Sequence, residues 1–300
     1  MRVLITGVNG FVGSCLVRHL RERGDAVSGT YINARPEIAG AELHAADLLD
    51  RPALERAVQA AEPDVIVHLA GLAQIGDSWK EDKMPRYFWV NLVGTENVLA
   101  AAAGRKVVIA SSADVYGRVP EAEQPIAESR PVSPRSPYGL TKAAAERLAL
   151  AYGNAVVVRS FNVIGPGQSA GFVMPDFAKQ LAAIARNPGD SVMRVGNLSA
   201  RRDFVHVDDG AAAYRLLAEK GEPGGVYNLA RGQTFSIDEV LRRLMKIAGV
   251  TARVETDPEK VRAVDLPLLQ GDSSRLRALG WEPRRSLDEA LSDLWKEMAR

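Results

Sequence analysis

The chain opens with an apolar run, Arg2-Val-Leu-Ile-Thr6, that stops at a cluster of glycines. A short run bounded in this way reads as a strand buried on both faces of a parallel sheet. Past the glycines, Phe11, Val12, Leu16, Val17 and Leu20 recur at helical spacing, with Arg18, Arg21 and Glu22 on the other side. The exchange of periods then repeats. Ala26–Tyr31 reads as a strand, Leu43–Leu48 as a strand and turn, and Leu54, Val58 and Ala61 as a helical stripe. Val65–Ala70 and Lys106–Ala110 read as buried strands, with one long helix, Phe88–Ala103, between them. Pro137–Ala151 follows as a helix and Ala155–Arg159 as a strand. Such alternation predicts a parallel sheet covered by helices on both faces and joined by right-handed crossovers.

Beyond about residue 165 the rhythm changes. Gly165-Pro-Gly167 and Gly171 form a loop, a helix starts at Phe172, and Asn187-Pro-Gly189 ends it. Shorter pieces follow at Ser191–Val195, Phe204–Val207 and Val226–Leu229, with helices near Ile237–Ile247 and Leu287–Met298. The expected architecture is an α/β, Rossmann-type doubly wound parallel sheet with a smaller, interleaved carboxyl-terminal α/β substrate lobe. On this pattern residues 1–165 and about 205–232 form a dinucleotide-binding domain, and about 166–204 with 233–300 form the substrate-binding lobe.

The glycines suggest what the first domain holds. In Gly7-Val-Asn-Gly10-Phe-Val-Gly13, Gly7 permits the tight turn, Gly10 lets backbone approach a phosphate, and Gly13 lets the helix pack on the sheet. A strand, a glycine turn and a helix together aim backbone N–H groups and the positive helix end at a pyrophosphate. A carboxylate for the adenosine ribose would stand at the end of the second strand. That strand ends at Tyr31 without an acid, and Arg35 follows. A guanidinium suits a 2′-phosphate, so NADP(H) is preferred and NAD(H) remains possible.

Bulk properties exclude several classes. Three hundred residues suffice for two lobes. The formal charge of +1, without a basic stripe, argues against nucleic acid. No apolar run approaches a membrane span, and the first one is broken by glycine before it could act as a secretion signal. The lone Cys15 permits no internal disulfide and fits a reducing cytoplasm.

Tyr138 and Lys142, four apart on a helix, share one face. A nearby ammonium favours the phenolate and lowers the tyrosine pKa, which is what a general acid/base at neutral pH requires. Lys142 can also donate to a nicotinamide ribose. Ser112 ends the run Val107-Val-Ile-Ala-Ser-Ser112, at the carboxyl edge of the sheet where ligands of such folds bind. Its hydroxyl can polarise a carbonyl, whereas Ser111 points to the opposite face. His68 has no second ligand at metal spacing, so no metal site is expected. Met84–Trp89 is expected as helix core rather than an aromatic binding patch.

The glycine triple, Ser112, Tyr138 and Lys142 resemble the extended short-chain dehydrogenase/reductase family, whose members modify nucleotide sugars. His68-Leu-Ala-Gly71, Asn91-Leu-Val-Gly-Thr95, Ser136-Pro-Tyr138 and Arg159-Ser-Phe-Asn162 extend the likeness over essentially the whole chain. The resemblance implies a cofactor site of Gly7, Asn9, Gly10, Phe11, Val12 and Gly13 with Tyr31, Arg35, Leu69, Ala70, Gly71, Asn91, Tyr138 and Lys142. It also implies that Asp47 and Leu48 frame the adenine, and it supports a homodimer formed through Phe88–Ala103 and Tyr138–Ala151.

Gly165-Pro-Gly-Gln168, Gly171-Phe-Val173, Val195-Gly-Asn-Leu198, Arg202-Asp-Phe204, Arg262-Ala-Val-Asp265, Gly271-Asp-Ser-Ser-Arg275 and Gly280-Trp281 look like the branch of that family acting on GDP-mannose derivatives. In Ser112-Ala-Asp-Val-Tyr-Gly117, Asp114 stands where the dehydratases of that branch place a glutamate, so the pattern is more like its ketoreductases. The resemblance places Asn162, Val173, Lys179, Arg202, Arg262 and Asp265 against a GDP-linked sugar. Arg202 and Arg262 are the candidates for its diphosphate, because a guanidinium binds phosphate oxygens in a fork. The expected chemistry is NAD(P)H-dependent reduction of a nucleotide-linked 4-keto-6-deoxyhexose, with Ser112, Tyr138, Lys142 and Asp114 at the reacting carbon. The alternatives are a dehydratase or 4-epimerase that recycles a bound cofactor, or a cofactor-sensing partner without catalysis.

Overall fold

A computed structural model describes residues 1–187, 189, 191–260 and 266–299; Arg262 and Asp265 therefore lie outside the described residues. The first half runs β1 (Arg2–Thr6), α1 (Phe11–Glu22), β2 (Ala26–Tyr31), β3 (Glu42–Ala45), α2 (Arg51–Ala61) and β4 (Val65–His68). Two short helices, α3 (Ile75–Ser78) and α4 (Met84–Phe88), lead through a π-turn at Trp89–Val93 into α5 (Gly94–Ala101). Then come β5 (Lys106–Ser112), α6 (Pro137–Tyr152) and β6 (Ala155–Ser160).

The second half begins with β7 (Asn162–Ile164), α7 (Val173–Arg186), β8 (Val192–Val195) and β9 (Arg201–His206). It continues through α8 (Val207–Lys220), β10 (Val226–Leu229), β11 (Thr234–Ser236), α9 (Ile237–Ala248) and β12 (Arg253–Thr256). The chain closes with β13 (Leu268–Leu269), α10 (Ser274–Ala278) and α11 (Leu287–Met298).

The main sheet is seven-stranded and parallel, in the order β10-β6-β5-β4-β1-β2-β3. The apolar runs at its centre, Val3–Ile5, Val65–Val67, Val107–Ile109 and Ala155–Val158, are buried, as their unbroken apolar character requires. On one face Leu16, Val17 and Leu20 of α1 and Tyr214 and Leu217 of α8 pack on Val3, Ile5, Val65 and Val67. On the other, Leu54 and Val58 of α2, Val98 and Leu99 of α5 and Ala149 of α6 pack on Leu4, Ile66, Val107 and Ile109. This is the Rossmann-type arrangement, and the strand order reverses at β1, between β2 and β4. The crevice for a ligand opens at the carboxyl ends of the strands beside that reversal.

The smaller lobe has a separate core made by α7, α9 and α11 around Met193, Phe204, Leu241 and Leu291. Its sheet is mixed: β9 pairs antiparallel with β11 and parallel with both β13 and β7. β12 and β8 form a separate parallel pair.

Two expectations need correction here. The single helix over Phe88–Ala103 is interrupted by the π-turn, whose extra residue per turn rotates Asn91 inward. There its amide nitrogen donates to the Leu72 carbonyl at 3.0 Å and to Thr141 Oγ1 at 3.1 Å, while its oxygen accepts from Leu72 N at 2.8 Å. Met84–Trp89 is helix core only at Tyr87; Met84 and Trp89 are exposed, Trp89 by 58%.

Candidate active site

Between β1 and β4 the backbone comes close enough to explain the first glycine. Gly7 has φ +71°, and a Cβ on it would lie 2.9 Å from Ala70 Cα. A Cβ at Gly13 would lie 2.2 Å from the Gly7 carbonyl oxygen. The first turn of α1 has no side-chain cap and no acidic residue, and Asn9 and Gly10 are exposed beside it. An uncapped helix start with free space at its end is complementary to an anion. Phe11 and Val12 sit half-buried at the same turn, and the Phe11 ring lies against Gly167.

Leu69, Ala70 and Gly71 continue β4 along the same crevice, half-buried or exposed. They are held from beneath by a directed chain of hydrogen bonds. Ala70 N donates to Thr6 Oγ1 at 3.4 Å, Thr6 Oγ1 meets His68 Nδ1 at 2.7 Å, His68 Nε2 meets Thr95 Oγ1 at 3.0 Å, and Thr95 donates to the Asn91 carbonyl at 2.6 Å. The Thr95 hydroxyl proton is spent on Asn91, so its oxygen accepts from the ring, and the neutral Nε2–H form of His68 completes the chain. Burial holds that imidazole neutral by lowering its pKa to about 3. His68 is thus a structural relay.

At the neighbouring strand end, Ser112 caps the short turn Ala113–Tyr116, its Oγ accepting from Asp114 N at 3.1 Å. Ser136 caps α6, accepting from Gly139 N at 2.9 Å, and its hydroxyl donates to Asp114 Oδ2. A Cβ at residue 139 would fall 2.4 Å from that carboxylate oxygen, so Gly139 makes its seat. Tyr138 is buried at the first turn of α6, its N–H on Ser78 Oγ at 3.2 Å and its ring edge-on to Tyr87, with centroids 6.5 Å apart.

The expected lowering of the tyrosine pKa does not occur. Burial pushes the Tyr138 hydroxyl above its ordinary value, and the hydrogen bond with Ser112 offsets only part of this. The Lys142 ammonium is turned away, donating to the Ala110 carbonyl at 2.9 Å. Burial lowers the Lys142 pKa to about 8, against the pull of Glu146, which raises it. A Cβ at Gly71 would lie 3.5 Å from Lys142 Nζ and 3.0 Å from Asn91 Oδ1. The absence of a side chain there leaves room above the ammonium for a sugar hydroxyl. Glycine cradle, uncapped helix and this opening all fit a dinucleotide.

Beside Ser112 a cleft is lined by Asp114, Ser136, Ser160, Asn162 and Arg202, with Ile75, Trp79, Phe161, Leu266 and Leu269 as its apolar walls and Arg135 at its rim. β9 supplies Arg202, whose guanidinium donates to the Leu266 carbonyl at 2.6 Å; β7 supplies Asn162, anchored by Nδ2 on the Asp203 carbonyl at 3.1 Å. Asp203 itself is fully buried and accepts from the backbone N–H of Arg231 and Gly232, both at 2.8 Å.

The remaining expected residues lie apart from this cleft or serve the framework. Val173 packs on the smaller lobe's core and Lys179 is exposed on α7; neither lines the cleft. Leu48 is buried against Gly94, and Asp47 Oδ1 accepts from Leu49 N at 2.9 Å. Asn91, as described, spends its amide on Leu72 and Thr141, with its Oδ1 beneath Gly71 at the edge of the crevice. Tyr31 is half-buried at the end of β2, and Arg35 is exposed in the following loop. Sequence reasoning gave no role to Ser136, Ser160, Trp79 or Arg135, none of which has a periodic signal of its own. Ser136 had one available clue, its position as the residue before Pro137 at a helix start.

Fold and site together define an NAD(P)-dependent oxidoreductase of the extended short-chain dehydrogenase/reductase type. A family model described as GDP-mannose 4,6 dehydratase matches residues 4–294, and the chain belongs to that family. It is 35% identical to GDP-6-deoxy-D-mannose reductase of Pseudomonas aeruginosa, covering 100% of this chain and 98% of the relative. The solved structure of RMD from Pseudomonas aeruginosa complexed with NADPH matches with a TM-score of 0.86 at 32% identity, covering 100% of this chain and 99% of that one. The Thermus thermophilus UDP-glucose 4-epimerase complex with NAD matches with a TM-score of 0.88 at 31% identity, covering 99% of each. Among the described residues no helix is long and apolar enough to cross a membrane.

Proposed function

We propose that the protein reduces a GDP-linked 4-keto-6-deoxyhexose, converting GDP-4-keto-6-deoxy-D-mannose to GDP-D-rhamnose, with NADPH preferred over NADH. The observation that carries this is the seat of Asp114. Dehydration needs a second acid–base group able to take and return a proton beside the reacting carbon. Here that position holds the shorter carboxylate, bonded to Ser136 and packed over Gly139. Ser112, Tyr138 and Lys142 are left as the proton-transfer set, which suffices for reduction.

A bound reduced nicotinamide supplies the hydride. Ser112 Oγ donates a hydrogen bond to the carbonyl oxygen, and Tyr138 delivers the proton as negative charge develops there. Its raised pKa suits this direction, because the phenol stays protonated until the oxygen takes charge. Lys142, held on the Ala110 carbonyl beneath Gly71, would donate to the nicotinamide ribose, and its ammonium would steady the phenolate left behind. Arg202 holds the diphosphate and Asn162 the hexose. Asp114 orients the sugar. Arg35, exposed in the loop after β2, would meet the 2′-phosphate, since the strand itself ends at Tyr31 without an acid.

The division into a nucleotide domain, 1–165 with about 205–232, and a substrate lobe, about 166–204 with 233–300, belongs to the same proposal. It is supported by β10 joining the main sheet and by the separate core beneath α7, α9 and α11. A homodimer through Phe88–Ala103 and Tyr138–Ala151 is supported by Trp89 in the π-turn and Leu140 on α6, large apolar side chains exposed on these segments.

Chromatography of two incubations tests the reaction. Oxidation of NADPH with GDP-4-keto-6-deoxy-D-mannose, yielding a GDP-6-deoxyhexose, is the expected result. A keto-sugar formed from GDP-mannose without added reductant would make the enzyme a dehydratase. Tightly retained oxidised cofactor with interconversion of 4-hydroxyl epimers would make it an epimerase.

A further inference from the structure

Beneath the reacting centre lies a buried ion pair that the chemistry above leaves unused. Glu146 and Arg159 have side chains only 4% and 8% exposed. Arg159 Nη2 donates to Glu146 Oε2 at 2.8 Å, and its Nε reaches both carboxylate oxygens at 3.1 and 3.2 Å. Ser111 Oγ donates to Glu146 Oε1.

The topology explains why these three meet. Ser111 of β5 and Arg159 of β6 are register partners on adjacent strands, so their side chains leave the same face of the sheet, toward α6. The next residues, Ser112 and Ser160, turn to the other face and line the cleft. Glu146 stands one turn after Lys142 on α6. One carboxylate therefore ties α6 to β5 and β6 immediately before the residues that face the substrate. Lys142 makes its own tie to β5 at Ala110.

A buried ion pair by itself is poor ground for stability, because desolvation offsets its attraction. We propose that Glu146 is a positioning residue: with Ser111 and Arg159 it sets where Lys142 and Ser112 stand relative to each other. The proposal rests on the roles given above to Lys142 and Ser112, but not on which sugar is reduced. The charged or titratable groups that face Lys142 or its neighbours come from several packed elements: Glu146 on α6 and His68 on β4 act on Lys142 itself, Asp114 after β5 and Tyr87 on α4 act on Tyr138, and Arg159 on β6 pairs with Glu146. His68 is neutral and Arg159 is positive, so of the two carboxylates Glu146 is the one that favours the Lys142 ammonium, with Asp114 held on Ser136.

The test is the NADPH dissociation constant as a function of pH, which needs no sugar substrate and stands even if the ketoreductase assay fails. Wild-type affinity should fall as pH rises through about 8, where Lys142 loses its proton. Glu146→Gln should weaken NADPH binding by about tenfold at neutral pH and move that midpoint to lower pH, since the anion favouring the ammonium is gone. Ser111→Ala keeps the charge and removes one tie, so affinity should fall by about threefold with the midpoint unmoved. A merely structural role would not separate the two variants in this way. A folded Glu146→Gln with wild-type affinity and midpoint would overturn the proposal. Should that variant fail to fold, Ser111→Ala decides alone: weakened binding at an unchanged melting temperature supports it, and unchanged binding overturns it.

Discussion

The crevice over β1 and β4 and the cleft beside β5 are neighbours built on opposite plans. The crevice is made of backbone: a turn at Gly7, an uncapped start of α1, and a bare Gly71 above Lys142. The cleft is made of side chains gathered from distant parts of the chain, with Ser112 from β5, Ser136 from the cap of α6, Asn162 from β7 and Arg202 from β9. A backbone site tolerates no added atom, because its walls cannot move aside. A side-chain site tolerates single losses in proportion to what each group does. The difference therefore predicts a steep, geometric response to substitution on one side and a graded, chemical response on the other.

The largest effect should come from Gly13→Ala. Its methyl would lie 2.2 Å from the Gly7 carbonyl, so the turn must shift and cofactor binding should be lost outright. Fluorescence titration with NADPH measures this, and near-normal affinity would mean that the turn is not the phosphate cradle. Tyr138→Phe should lose at least about a hundredfold in kcat, roughly 3 kcal/mol, while the cofactor affinity survives. Turnover close to wild type would remove Tyr138 as the acid.

Arg202→Ala should raise the KM for the nucleotide sugar by roughly ten- to a hundredfold, as expected for a lost charged hydrogen bond, with a smaller change in kcat. An effect confined to kcat would move Arg202 from binding to chemistry. Arg35→Ala should have the smallest effect, reducing the NADPH-over-NADH preference by about tenfold or less because the side chain is exposed and screened. Equal use of both cofactors by the wild type would show that Arg35 has no part in selection.

The Lys142 side of the comparison predicts a pH dependence with a definite sign. Its pKa is depressed to about 8 by burial, so the ammonium is intact below that pH and is lost as pH rises through it. The high Tyr138 pKa places no limb of its own near neutrality. An alkaline decline of kcat/KM centred near pH 8 is expected, and its absence in Lys142→Arg, whose guanidinium stays charged, would tie the decline to this residue.

Legibility in the sequence followed the range over which each feature is determined. The strand–turn–helix of residues 2–22 could be read, as could Ser112 at a strand end and Tyr138 and Lys142 on one helix, because these placements depend on local spacing. A period of two or 3.6 residues, a glycine triple, and an i, i+4 pair all lie within a few turns of chain. The π-turn at Trp89–Val93 could not be read, because nothing local demands it; it exists so that Asn91 can grip Leu72, nineteen residues away. The direction of the Tyr138 shift departs from the spacing argument for a related reason. Spacing brings Lys142 to the same face as the tyrosine, but the Ala110 carbonyl claims the ammonium, and burial dominates the phenol.

By itself, then, the sequence determined the α/β layering, the parallel main sheet and the tight glycine turn after β1, all consequences of periodicity and of what glycine permits. Only the tertiary structure decided that Ser136 and Gly139 would seat Asp114, that Ser111, Glu146 and Arg159 would lock α6 onto two strands, and that Trp79 and Arg135 would reach the cleft while Val173 and Lys179 would not. Those outcomes depend on strand order and register. Strand order brings together residues far apart in sequence, and the local pattern of polar and apolar positions holds no record of which strand lies beside which.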